Sequence, residues 1–159
     1  MPRKTSGKAR PNGAADEAID YGPLAGWVGF NLRMAQAASF QAFAKLAKEV
    51  GSRPGRFATL VLIGRNPGIS QTALSRANGR DKSTLTPVLN DLERRGLIQR
   101  QRTSSDQRVY RLTLTPAGQK LLRQLIACAK KHERHLDKII GPTDQEAFLR
   151  TLKRIAAQA

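Results

Sequence analysis

Apolar residues recur at helical spacing over most of the chain and at strand spacing over one short stretch. Leu24, Val28, Leu32, Ala35, Ser39, Phe43, Leu46 and Val50 are separated by 4, 4, 3, 4, 4, 3 and 4 positions. That period predicts a long amphipathic helix starting near Tyr21 to Leu24 and stopped by Gly51. Ser52 can cap a second helix, with Pro54 in its first turn and Phe57, Leu60, Val61 and Ile63 on its apolar side. Asn66-Pro67-Gly68 reads as a turn. Ser70 then caps a third helix, with Ile69 placed to pack on Leu74 as a hydrophobic staple, and Asn78-Gly79 ends it after about two turns. Asp81 caps a fourth, whose inward residues are Leu85, Val88, Leu89 and Leu92, up to Gly96.

The period then changes. Ile98 to Arg102 and Arg108 to Leu114 are strand-like, with Tyr110, Leu112 and Leu114 alternating inward. Thr115-Pro116 restarts a helix carried by Leu121, Leu122, Leu125, Ile126, Ala129, Leu136, Ile139 and Ile140 as far as Gly141-Pro142. Thr143-Asp144-Gln145-Glu146 is a capping-box pattern opening a last helix through Phe148, Leu149, Leu152 and Ile155. The predicted fold is mainly α with a small β-hairpin wing: a winged helix-turn-helix with helices added at both ends. The expected parts are a basic tail (1–18), an N-terminal helix (19–51), a winged module (52–114) and C-terminal helices (115–159). Two helices joined by a tight turn and backed by a charged hairpin are a device for placing one helix in a DNA groove.

Charge sharpens this picture. The 159 residues carry 28 Lys/Arg against 12 Asp/Glu, a net +16. Between Arg53 and Arg111 there are 12 Lys/Arg and 4 Asp/Glu, so half of that excess sits on the winged module. Duplex DNA, with about one charge per 1.7 Å of axis, is the partner such a balance attracts. Cys128 is the single cysteine, which excludes an internal disulfide framework and fits a reducing compartment. No apolar run approaches 18 residues and no apolar stretch follows the basic N-terminus, so the expectation is a cytoplasmic protein with no membrane partner. A phosphate-cradling G-x-x-x-x-G-K loop and a G-x-S-x-G elbow are both missing, which argues against an enzyme.

Several stretches, in order, resemble the MarR family of bacterial transcription regulators. They are Gly55-Arg56-Phe57-Ala58-Thr59-Leu60, Asn66-Pro67-Gly68-Ile69-Ser70-Gln71, Asp81-Lys82-Ser83-Thr84-Leu85-Thr86, Leu92-Glu93-Arg94-Arg95-Gly96-Leu97-Ile98, the Asp106/Arg108 pair, and Leu112-Thr113-Leu114-Thr115-Pro116-Ala117-Gly118. The resemblance implies a homodimer with interlocked terminal helices and two winged modules on a pseudo-palindromic, double-stranded operator. It also implies a repressor released when a small aromatic anion binds between the dimer helices and the DNA-binding lobe. The Asp81 to Pro87 stretch looks most like members that sense hydroxycinnamate-type aromatic acids or their coenzyme A thioesters. No cofactor is implied.

On that reading the fourth helix enters the major groove by its N-terminal end. Lys82, Ser83, Thr84, Thr86 and Asn90 become candidates for base edges and nearby phosphates, with Ser70, Gln71 and Arg94 at the margins. Short polar residues at a helix start also serve as caps, and Ser83 fits both roles. Pro87 departs from the family, where a basic residue is common; it removes one helical hydrogen bond, and its ring can meet a thymine methyl. Asn78 and Arg80 replace turn residues that are commonly apolar. In the wing, Asp106 orients Arg108 toward the minor groove, a contact that favours narrow A·T-rich sequence. Arg100, Arg102 and Arg111 fall to phosphates.

The control site has two readings. Trp27, Phe30, Asn31 and Met34 form a second stripe on the first helix, which suits either a core or dimer seam or the wall of an effector pocket, with Arg33 or Arg56 pairing an acid group. Cys128, His132 and His135 share one helix face, but no fourth ligand is evident and the same face carries Leu121, Leu125 and Ile139. Packing is the expected role there, not metal. The rival function is a sequence-tolerant architectural or RNA-binding winged helix, which would show a steep salt slope without operator preference.

Overall fold

The computed structural model describes residues 19–103 and 106–158, and side chains within those spans except at 102–109. Two compact units are present, divided at Ala35/Gln36. In the described part of the first, a 3-10 turn (Gly22–Gly26) precedes helix α1, Val28–Glu49, which continues into the second unit. The helix therefore starts later than the apolar period suggested. Asn31 explains the start: its side-chain amide donates to the carbonyls of Ala25 (3.0 Å) and Trp27 (2.9 Å), joining the turn to the first helical residues. Tyr21 packs on Phe30 with ring centroids 5.5 Å apart, and the Arg33 guanidinium lies over the same ring at 5.2 Å.

The second unit follows a winged-helix order: a 3-10 turn (Pro54–Arg56), α2 (Phe57–Arg65), β1 (Ile69–Ser70), α3 (Gln71–Ala77), α4 (Lys82–Arg94), β2 (Ile98–Thr103), β3 (Asp106–Leu114), α5 (Pro116–Ile140) and α6 (Gln145–Gln158). The wing is a three-stranded antiparallel sheet in the order β1-β3-β2, not a plain hairpin. Ile69 and Ser70 pair with Leu112 and Arg111, so the residue expected as a staple forms an edge strand. Arg111 braces that edge by donating to the Gly68 carbonyl at 3.2 Å. β2 and β3 pair from Ile98↔Leu114 to Thr103↔Asp106 with one irregularity after Arg102, and the strands run further toward the wing tip than their alternation showed.

The core is aliphatic. Leu60 and Ile63 of α2, Leu74 of α3, Leu85, Leu89 and Leu92 of α4, Leu112 of β3 and Leu125 of α5 are fully buried together. Each such side chain contributes about 1.5–3 kcal/mol relative to exposure. These positions are the inward ones of the sequence pattern. Four other expectations fail. Tyr110 is 37% exposed and does not face inward. On α1 only Phe43 and Ala47 are buried, while Val28 is 71% exposed. Ser52 makes no cap: among the described residues its buried hydroxyl has no hydrogen-bond partner, and Arg53 precedes the 3-10 turn instead. The capping box before α6 does not close, since Glu146 pairs forward with Arg150 on the helix surface and Gln145 donates back to Asp137 (2.6 Å).

Helix α4 and the wing are joined through one tight corner. Gly96 adopts φ 66, a left-handed conformation open to glycine, and turns the chain from α4 into β2. Thr115 accepts from the Gly118 N–H (3.1 Å) as the cap of α5, while its hydroxyl donates to the Gly96 carbonyl (2.6 Å) and its own N–H to Leu97 (3.1 Å). The start of α5 is thereby fastened to the base of the wing.

Candidate nucleic-acid interface

The helix-turn-helix is α3, the turn at 78–81 and α4. Ser70 caps α3 by accepting from Ala73 N–H at 3.2 Å. Asp81 caps α4: one carboxylate oxygen accepts from the Thr84 N–H (2.7 Å) and the Ser83 hydroxyl (2.6 Å). These two donors, Ser83 first, hold the Asp81 carboxyl down at about 2, so the cap is charged at any physiological pH. Gln71 on α3 donates to the Thr86 hydroxyl (2.8 Å), which in turn donates to the Lys82 carbonyl (2.7 Å). That brace fixes the angle between the two helices. In the turn, the Ser75 hydroxyl donates to the Arg80 carbonyl (2.5 Å), and Asn78 donates to Thr59 (3.0 Å), a fully buried hydroxyl on α2. Asn78, unexplained by the resemblance, is therefore the hydrogen-bond partner of a buried polar group.

At 100° per residue, Ser83, Pro87, Asn90 and Arg94 share one exposed strip of α4, opposite Leu85, Leu89 and Leu92. Lys82 and Thr84 flank it at the N-terminal end, both exposed. The helix continues through Pro87 over 13 residues. The ring lies on the outer face, where the missing N–H costs the core nothing. Ser83 has committed its proton to Asp81, so it presents acceptor lone pairs outward. Thr86 and Gln71 are committed mainly to each other, a positioning pair behind the strip.

Arg100, on β2, donates to Asn90 Oδ1 (2.7 Å) and lies 3.5 Å from Glu93, so a candidate phosphate contact and a candidate base reader hold one another in the free protein. Arg94 contacts Asp91 at 3.0 Å, and Arg56 meets the same carboxylate at 2.5 Å from the other side. Burial pushes the Arg56 guanidinium down from its ordinary value, with Asp91 opposing that shift. The side chains of Arg102, Asp106 and Arg108 lie outside the described residues.

A cavity of about 230 Å³ opens in the second unit between α1, the start of α2 and α5. Phe40, Phe43, Phe57 and Ala129 form its apolar wall, and Gln36, Ser39, His132 and Glu133 its polar groups. His132 is buried, with Nε2 3.0 Å from Ser39 Oγ and its ring 6.0 Å from that of Phe43. Trp27, Phe30, Asn31, Arg33, Met34 and Arg56 are not among the lining residues. The first five lie in the unit ending at Ala35, and Arg56 is engaged by Asp91. The sequence signal for this cavity was a histidine set in the apolar face of α5, together with Ser39 in the apolar stripe of α1. Cys128 on α5 makes a 3.5 Å contact with the Leu46 carbonyl, and His135 is exposed. Among the described residues, no helix is long and apolar enough to cross a membrane.

A capped, braced helix with an exposed polar strip, backed by a basic three-stranded wing, defines a winged helix-turn-helix DNA-binding protein. A model described as the MarR family matches residues 53–110. A putative transcriptional regulatory protein for the hcr operon of Thauera aromatica is 33% identical over 157 residues, covering 98% of this chain and 93% of that relative. The chain belongs to the MarR family, and it is a transcriptional regulator, not an enzyme. Among solved structures, the transcriptional repressor CouR bound to a 23-mer DNA duplex superposes with a TM-score of 0.81 at 32% identity, covering 87% of this chain and 98% of that one. CouR bound to p-coumaroyl-CoA gives a TM-score of 0.80 at 30% identity, covering 87% and 97%.

Proposed function

We propose that the protein is a homodimeric repressor that reads a pseudo-palindromic operator and lets it go when an aromatic acyl thioester enters the cavity beside His132. The observation carrying this reading is the cavity's composition. Three phenylalanines and the buried His132 with its half-buried partner Ser39 suit one aromatic ring bearing a hydroxyl. At about 230 Å³ the space is smaller than the ~300–1,000 Å³ of pockets for drug-sized ligands, so it suits a ring with a short side chain. A coenzyme A portion would stay outside. The one ionisable acid on the wall is Glu133, and no Lys or Arg lines the space, which disfavours a free carboxylate and favours the uncharged thioester carbonyl. The structure of CouR with p-coumaroyl-CoA supports the same ligand class.

Dimerisation is supported by apolar residues left uncovered in one chain: Val28 on α1, Ile139 at the end of α5, and Phe148 and Leu149 on α6. In the operator complex, Lys82, Ser83, Thr84, Pro87 and Asn90 face the major groove, Arg108 enters the minor groove, and Arg100 and Arg102 meet phosphates. The test is a mobility shift on the DNA upstream of the protein's own gene, with p-coumaroyl-CoA and p-coumarate titrated separately. The expected result is release by the thioester at lower concentration than by the acid, abolished by Phe43→Trp, which fills the cavity. No release by either class ends the effector reading, while equal affinity for operator and random duplex ends the operator reading. Arg108→Ala is expected to weaken operator binding by ~1–3 kcal/mol.

A further inference from the structure

Six cations on α5 play no part in the interface or the cavity. Lys120, Arg123, Lys130, Lys131, Arg134 and Lys138 fall within an arc of about 100° around the helix and extend along it for about 27 Å. All six are exposed, and Ala127 occupies the gap in the same arc. The arc lies opposite the face that packs through Leu121, Leu125 and His132. Among the described residues none of the six is in an ion pair. An ordinary solvated helix face intersperses both signs at i, i+3 and i, i+4. Here Lys120/Arg123, Lys130/Arg134, Lys131/Arg134 and Arg134/Lys138 are like-charge neighbours at those spacings; the acids Glu133 and Asp137, at i+3 from Lys130 and Arg134, lie outside the arc, and the cations within it repel one another unless a polyanion covers them.

The stripe also indicates which polyanion. It holds no aromatic residue, so it offers no stacking platform for single strands. It holds no apolar anchor larger than Ala127, which argues against membrane insertion and against a protein hot spot. What remains is the regular phosphate array of a duplex, met by charge alone. The stripe begins at Lys120, little more than one turn after Thr115, which is hydrogen-bonded to the base of the wing. Duplex running on from an occupied operator is held at high effective concentration near the winged module, and so outcompetes free duplex for a weak, purely electrostatic surface.

We infer that the basic stripe of α5 is a second, sequence-independent DNA contact that takes up duplex flanking the operator. The inference requires DNA binding by the winged module but not the proposed effector. It is tested with the full-length protein by comparing a duplex trimmed to the operator with one extended by about 15 base pairs on each side, over a range of salt. The wild type should prefer the extended duplex. In Lys130→Gln/Lys131→Gln/Arg134→Gln that preference should fall several-fold, and the salt slope on the extended duplex should become shallower by roughly 2–3, about one for each phosphate contact removed. Affinity for the trimmed operator should be unchanged, which separates a stripe effect from failure of the winged module. Ala127→Lys, which fills the gap with a further cation, should move the flank preference the opposite way whether or not the triple variant folds. The inference is overturned by identical salt slopes for wild type and triple variant together with no gain from Ala127→Lys. It is equally overturned if the stripe variants alter only capture of a second duplex in trans, or only capture by polyglutamate or anionic vesicles.

Discussion

Gly118 is the position where helix propensity and packing give opposite signs. It lies in the first turn of α5, and replacing a helical glycine by alanine ordinarily stabilises by about 1 kcal/mol. A Cβ at this residue, however, would fall 1.9 Å from the Leu97 carbonyl oxygen and 2.9 Å from its carbon. Even close C–H···O contacts keep about 3.3–3.6 Å, so α5 or the wing base must move by more than an ångström. Backbone does not yield as a side-chain tip does, and overpacking of this kind costs about 1–3 kcal/mol. The movement also strains two hydrogen bonds across the same joint, Thr115 N–H to Leu97 and the Thr115 hydroxyl to Gly96, each contributing about 1 kcal/mol. Set against the propensity gain, the expected net loss for Gly118→Ala is about 2–4 kcal/mol. Urea denaturation at fixed protein concentration measures it, and Gly55→Ala serves as control, since its Cβ would meet only the Arg80 side chain at 3.5 Å. A Gly118→Ala midpoint equal to or above that of the wild type would refute the argument, because it would mean that α5 can slide off the wing base without cost.

The turn and the cap give two further expectations. Asn78→Leu leaves the buried Thr59 hydroxyl without its partner and should destabilise by about 1–3 kcal/mol, whereas adding Thr59→Val should recover much of that loss; additivity in the double-mutant cycle would show that the pair is not coupled. Asp81 titrates near 2 in the folded protein against about 3.9 unfolded, so its contribution is complete above about pH 5 and is lost progressively as pH falls toward 2. The stability difference between wild type and Asp81→Asn should shrink over that interval, as followed by unfolding curves from pH 5 to 2; a difference independent of pH would remove the charged-cap account.

The helices and caps of the DNA-reading half were legible in the chain because they are local. Ser70, Asp81 and Thr115 cap the helices they precede in sequence, and each bond spans three residues. The inward leucines of α4 follow from the 3.6-residue period alone. Residues distant in sequence were not legible in this way. Ile69 pairs with Leu112 across the wing, Asn78 reaches Thr59, Arg100 reaches Asn90, and Ser39 meets His132 from 93 residues away. No local pattern encodes such pairs, because the partners become neighbours only once the core has closed.

The same division explains the candidate effector site. The aromatic stripe of the first helix was visible from spacing, but a cavity is bounded by several elements at once, and its walls come from α1, α2 and α5. By itself the sequence determined the order of helices and wing, the caps at Ser70, Asp81 and Thr115, the basic character of the DNA-reading module and the family. The tertiary structure alone decided which polar groups are spent on each other, where a part-apolar cavity opens between helices, and that Gly118 is held by a carbonyl rather than by helix propensity. Periodicity and capping act over a few bonds of one chain segment, whereas hydrogen-bond pairing, cavity shape and close approach depend on distances between segments.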